Sequence, residues 1–120
     1  MNVLLLGSGG REHAIAWKLK QSPLLHQLYI APGNPGTAKI GINLPLNPLD
    51  FEAIASALIQ YQIKLVICGP EEPLVKGLRD FLYQNELTSH IYFIGPGIEG
   101  AQLEGSKEFS KHFMFRHQIP

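Results

Sequence analysis

The sequence has one cysteine, Cys68, in 120 residues. A single thiol excludes an internal disulfide framework and a cysteine-based metal cluster, and Cys68 reads as a small buried hydrophobe. Net charge is lacking too, since 10 Lys and Arg balance 10 Asp and Glu. Nothing in that balance points to nucleic acid or to a membrane surface as a partner. No apolar run approaches the roughly 18 residues that a membrane-spanning helix needs. The apolar stretch near the N-terminus, Val3 to Leu6, is too short for a signal-peptide core. The expectation is a cytoplasmic protein. Several catalytic signatures are missing as well: the sequence holds no G-x-x-x-x-G-K-[ST], no H-E-x-x-H and no G-x-S-x-G. A P-loop nucleotidase, a zincin and an α/β-hydrolase are therefore excluded on sequence grounds. The five histidines are scattered, without metal-ligand spacing, and no acidic cluster suits Mg²⁺. Internal repeats and low-complexity segments are absent.

What is present is an alternation of short apolar runs with helical patterns. Val3–Leu6 reads as a buried strand that runs into glycines, and Arg11–Gln21 as a helix with Ile15 and Leu19 at helical spacing. Leu28–Ala31 is a second strand, closed by Pro32-Gly33-Asn34-Pro35-Gly36, which cannot be helix. A further extended piece is expected around Ala38–Leu44. Asp50 suits an N-cap, and Phe51, Ile54, Ala55 and Leu58 recur at one helical face behind it. Lys64–Cys68 reads as a strand and Pro73 as the first turn of a helix that buries Leu74, Leu78, Phe81 and Leu82. Ile91–Ile94 is the next strand, and Gly100–His117 reads as helix broken near Gly105. Unbroken apolar strands alternating with helices predict an α/β fold: an open, mostly parallel sheet of about five strands with helices on both faces. Ligands bind such sheets at the carboxyl ends of the strands, so those loops are the candidate site.

Gly7-Ser8-Gly9-Gly10-Arg11-Glu12 leaves the first strand and opens a helix. Glycines let backbone amides approach an anion, and the helix N-terminus favours negative charge. Ser8 offers a hydroxyl and Arg11 a bidentate partner for phosphate. A dinucleotide fingerprint needs a third glycine where Glu12 stands, and an acidic residue where the second strand ends in Tyr29-Ile30-Ala31-Pro32. Both departures argue against NAD. A carboxylate at Glu12 would repel a pyrophosphate unless it faces a hydroxyl or an amine, so the loop suggests a phosphorylated ligand that carries such groups. His13 either reaches that ligand or is packed or solvated. In the second loop, Pro32, Gly33, Asn34 and Gly36 make a stiff turn with exposed amides, and Asn34 and Thr37 could hydrogen-bond a polar ligand. In the third, Gly69-Pro70-Glu71-Glu72, one carboxylate is expected to cap the next helix, Glu72 being the candidate, which leaves Glu71 for ribose hydroxyls or an amine. Lys107, on spacing alone, reads as a solvated helix charge, and Phe109 and Phe113 as packing residues.

Four segments in order, LLLGSGGREHAIAWKL, APGNPGTA, GPEEPLVKGLRDFL and GPG-x4-QLEGSKEFSKHFM, resemble the glycinamide ribonucleotide synthetase family over nearly the whole chain. Pro35 departs from the small residue expected there. The resemblance implies a Rossmann-like pre-ATP-grasp domain spanning residues 1–120 at the N-terminus of a longer protein, with the ATP-grasp and C-terminal domains absent from this chain. The ending RHQIP, without a polar tail, agrees with that expectation. The resemblance further implies a full-length ligase that joins glycine to 5-phosphoribosylamine with ATP and Mg²⁺ (or Mn²⁺) in purine synthesis, through an acyl phosphate. This domain would hold the phosphoribosylamine and bind no cofactor alone. Lys107 would reach the nucleotide phosphates, and the ATP-grasp domain of the same chain would be the partner. The other readings are a dinucleotide-binding Rossmann module and a standalone ligand-binding domain of the same fold.

Overall fold

The computed structural model describes residues 1–95. Its strands are β1 (Asn2–Gly7), β2 (Gln27–Pro32), β3 (Ile42–Asn43), β4 (Ile63–Cys68) and β5 (Tyr92–Ile94). Its helices are α1 (Gly10–Lys20), α2 (Phe51–Gln60), α3 (Glu72–Val75) and α4 (Leu78–Gln84), and a single 3₁₀ turn covers Thr37–Lys39. The five strands form one sheet in the order β3-β2-β1-β4-β5, and every pairing is parallel. The strand order runs outward in both directions from β1, so the crevice between β1 and β4 is the point where the topology reverses.

Side chains on a strand alternate between faces, and β1 shows why the sheet needs helices on both sides. Leu4 and Leu6 pack into a core with Ile54, Ala55 and Leu58 of α2 and Leu78 and Leu82 of α4. Val3 and Leu5 pack into a second core with Ala16 and Leu19 of α1. Each fully buried leucine contributes about 1.5–3 kcal/mol, which explains the unbroken apolar run. The expected open parallel α/β sheet of about five strands is the one observed.

Local differences have local causes. Asp50 caps α2 by accepting from the Ala53 amide at 3.2 Å, as expected. The extended piece foreseen at Ala38–Leu44 shortens to β3 because the 3₁₀ turn takes its first residues. The single helix foreseen behind Pro73 is two: Gly77, at φ +93°, separates α3 from α4. A left-handed residue ends one helix and re-aims the next, so Leu78 and Leu82 reach the core while Val75 is exposed. Glu72 does not cap α3 with its side chain. It lies in the first turn, and the backbone carbonyl of Glu71 accepts from the Leu74 and Val75 amides at 3.0 and 2.9 Å. The helix expected over Gly100–His117, with Lys107, Phe109 and Phe113, lies outside the described residues.

Candidate functional site: three linked loops at the carboxyl end of the sheet

β1, β2 and β4 end side by side, and their loops are joined to one another. The Gly69 amide donates to the Leu6 carbonyl at 3.1 Å, and the Gly33 amide to the Gly7 carbonyl at 3.0 Å. Arg11 donates from its guanidinium to the Gly69 carbonyl. The Asn34 side-chain amide donates to the Ser8 carbonyl at 2.9 Å and, at 3.4 Å, to that of Gly9. The loop after β1 is thus held from both sides, by the loop after β2 and by the loop after β4.

Glu12 is the buried centre of this rim. Its residue is only 6% exposed, although it stands in the first turn of a helix whose neighbours Arg11 and His13 are exposed. A carboxylate gains there from the helix N-terminus, and Arg11 Nε lies 3.7 Å from Glu12 Oε2. The glycines around it make the room. A Cβ at Gly7 would collide with the Glu12 carboxyl group, one at Gly69 would meet it at 2.9 Å, and one at Gly9 would stand 3.9 Å from Oε2. Gly7 also has φ +133°, where side chains are strained. Glu12 therefore occupies the β1–β4 crevice.

Gly10 is different. Nothing lies within 4 Å of the place its Cβ would take, and the position is helical. The fold does not require glycine there, and Ala would suit a helix better. Ser8, Gly9 and Gly10 are all exposed, and the first amides of any helix lack intrahelical acceptors. These features together leave an open approach to backbone donors.

The second loop is stiffened from within. The Asn34 amide donates to Thr37 Oγ1 at 2.8 Å, and the Thr37 amide to Asn34 Oδ1 at 2.9 Å. Thr37 is fully buried, and its hydroxyl is shared between Asn43 Oδ1 at 2.8 Å and the Asn34 carbonyl at 3.0 Å. Thr37 therefore does not face a ligand, contrary to expectation. Asn43, on β3, donates to the Asn34 carbonyl at 2.9 Å. The sequence reading missed Asn43; its only signal was an amide side chain at the end of an edge strand. His13 lies against the second loop, for a Cβ on Gly36 would meet His13 Cε1 at 2.8 Å. Pro32 is exposed and follows a cis peptide bond from Ala31. Glu71 and Glu72 are both exposed, Pro70 is partly covered and Gly69 is buried. Lys107 lies outside the described residues.

Beneath the rim, Cys68 donates its thiol to the Pro70 carbonyl at 3.4 Å. Its pKa is pushed up from 9.0 to about 12, by burial first and by the Glu12 carboxylate second, with Arg11 opposing. The thiol stays protonated at neutral pH and is no nucleophile there. Among the described residues no three His, Cys, Asp or Glu side chains converge as a metal site. Nor is any helix among them long and apolar enough to cross a membrane.

A family model described as phosphoribosylglycinamide synthetase, N domain, matches residues 1–104. The chain is 48% identical over 120 residues to a phosphoribosylamine–glycine ligase of Mesorhizobium japonicum, covering 100% of this chain and 27% of that protein. It is 45% identical over 122 residues to the Escherichia coli protein of that name, covering 100% and 28%. It is also 50% identical over 123 residues to the trifunctional purine biosynthetic protein adenosine-3 of Drosophila melanogaster, covering 98% and 9%. The crystal structure of phosphoribosylamine–glycine ligase from Thermotoga maritima aligns with 98% of this chain and 25% of its own, at 31% identity and a TM-score of 0.53. The chain spans about a quarter of the length of the single-activity ligases it matches.

Proposed function

This chain belongs to the phosphoribosylglycinamide synthetase N-domain family, and from that premise we propose that it is the phosphoribosylamine-binding wall of a longer phosphoribosylamine–glycine ligase acting in purine biosynthesis in the cytoplasm. Residues 1–120 are the N-terminal domain, and the ATP-grasp and C-terminal domains belong to the remainder of the full-length chain. In the complete enzyme, ATP phosphorylates the glycine carboxylate. The amine of 5-phosphoribosylamine then attacks that acyl carbon, phosphate leaves with the bonding electrons, and the nitrogen gives up a proton. The full-length enzyme would use ATP with Mg²⁺ or Mn²⁺, and Lys107 is the residue of this domain assigned to the nucleotide phosphates. This chain's own task is to bind and orient the amine.

The observation that supports this reading best is Gly10: a glycine that neither space nor backbone conformation requires, beside exposed Ser8 and Gly9 at a helix N-terminus. Such a glycine is explained by a ligand that approaches the backbone closely. Gly7, Ser8, Gly9 and Gly10 cradle the phosphate with Arg11 at their side. Glu12, Glu71 and the Gly69-Pro70 turn face the ribose hydroxyls or the amine, and Pro32, Gly33, Asn34 and Gly36 form the opposite rim. Glu12, negative in the crevice, disfavours a pyrophosphate at that point, which separates this site from dinucleotide sites. Holding the amine in line with the acyl carbon supplies the proximity that such a bimolecular step needs.

The test is Arg11→Ala in the full-length ligase. The KM for phosphoribosylamine should rise by about tenfold or more while that for ATP changes by less than about twofold. Equal changes in both would refute the assignment. The 120-residue chain alone should form no glycinamide ribonucleotide from ATP, glycine and phosphoribosylamine.

A further inference from the structure

The second loop contains more internal hydrogen bonding than a turn needs, and much of it converges on Asn34. Its backbone amide and its side-chain oxygen are both paired with Thr37. Its carbonyl receives the Asn43 side-chain amide and the Ala38 amide, at 2.9 and 3.1 Å. Its side-chain NH₂ reaches across to the Ser8 and Gly9 carbonyls of the first loop. Gly33 is part of the same packing: at φ +75°, a Cβ there would stand 2.8 Å from Thr37 Oγ1. A trans peptide is planar, with its N–H opposed to its C=O. Gripping the Ser8 carbonyl therefore fixes the direction of the Gly9 amide, while the Gly9 carbonyl, which sets the direction of the Gly10 amide, is held jointly by Asn34 at 3.4 Å and by the His13 amide at 3.1 Å.

We infer that Asn34, Thr37 and Asn43 form a positioning brace for the glycine-rich loop, through which Asn34 serves the phosphate-binding amides by holding the Ser8–Gly9 and Gly9–Gly10 peptides. The inference rests on the reading that this loop binds the phosphoribosyl group. Pre-set donors avoid the cost of ordering a glycine segment when the ligand arrives, because glycine has the most backbone freedom to lose. Thr37 and Asn43 act one step further back: Thr37 fixes the Asn34 side-chain rotamer, and Asn43 ties that assembly to the sheet.

The brace is tested in the full-length ligase by steady-state kinetics with phosphoribosylamine, ATP and glycine varied in turn. Asn34→Asp replaces the donating NH₂ by an oxygen facing the Ser8 and Gly9 carbonyls, and should raise the KM for phosphoribosylamine by about tenfold or more. Thr37→Val, which keeps the shape but loses the hydroxyl, should raise it by about fivefold to tenfold, and Thr37→Ser should restore it to within about twofold. Across the three variants kcat and the other two KM values should stay within about twofold. Gly10→Ala separates the two ideas, since it obstructs the approach directly and leaves the brace intact. If Gly10→Ala raises the KM and Asn34→Asp does not, the brace is wrong and the site reading stands. If Gly10→Ala leaves the KM unchanged, the site reading fails and takes the brace's role with it. Should Thr37→Val only lower the yield of folded enzyme, Asn34→Asp still decides, because its side chain is partly exposed. A loss of active enzyme with an unchanged KM in both variants would reduce the three residues to a structural role.

Discussion

The two ends of the sheet differ in kind. At the amino end lies an open cleft of about 510 Å³, lined by Met1, Asn2, Leu58, Ile63, Lys64, Leu87, His90 and neighbouring residues. Its lining is mainly apolar. On its wall Asn2 donates from its NH₂ to the Tyr61 carbonyl at 2.7 Å while its buried Oδ1 has no partner. The carboxyl end gathers glycines, a buried carboxylate and three loops joined by hydrogen bonds. The candidate site is the end where backbone amides are held in place, the end that parallel α/β sheets use for ligands.

The largest expected effect attacks the carboxyl end through its fold. Gly7→Ala forces a side chain into a left-handed backbone and into the Glu12 carboxyl group, and should destabilise the chain by roughly 3 kcal/mol or more in urea unfolding. Retention of full stability would mean that Glu12 does not occupy the crevice. Next, Gly10→Ala should do the reverse: folding stability unchanged or raised by about 0.5–1 kcal/mol, with the KM for phosphoribosylamine raised by about tenfold in the full-length enzyme. That opposition, one glycine needed for folding and another for binding within four residues, is the comparison in its sharpest form. At the amino end, His90→Ala should change that KM by less than about twofold, and a larger change would make the cleft part of the site. The last effect is absent at neutral pH and confined to alkaline solution. Cys68 titrates near 9.0 when unfolded and at about 12 when folded. Its protonated thiol therefore contributes stability that is fully present below about pH 9 and is lost as pH rises toward 12. Cys68→Ala should flatten the fall in stability across that window in urea titrations, without a slope change below it.

Most of the frame was legible from the sequence, because apolar runs that stop at glycine or proline carry a strand's two signals at once. Val3–Leu6 and Lys64–Cys68 fall within observed strands, and Asp50 caps the helix it precedes. What the sequence hid was direction. Glycine at 77 gave no sign that its backbone would turn left-handed, so two helices read as one. Glu72 looked like a cap because a carboxylate before a helix often is one, yet the chain turns so that the Glu71 carbonyl takes that place. Glu12 was legible as a departure from the dinucleotide pattern, but its burial was not, since that depends on Gly69 arriving from 57 residues further on. Asn43 and the saturation of Thr37 were equally invisible, for they arise only when β3 is laid beside β2.

The outer face of α1 has one more use. Trp17 is the only tryptophan in the sequence. It is 61% exposed and lines a shallow groove with Gly10, His13 and Ala14, two turns from the helix start. An indole in that position emits at long wavelength while water surrounds it, and shifts to the blue when something covers it. The domain thus carries its own optical reporter on the helix that the glycine-rich loop opens. In a full-length protein whose other tryptophans have been replaced, that emission would follow events at the glycine-rich loop without any added dye.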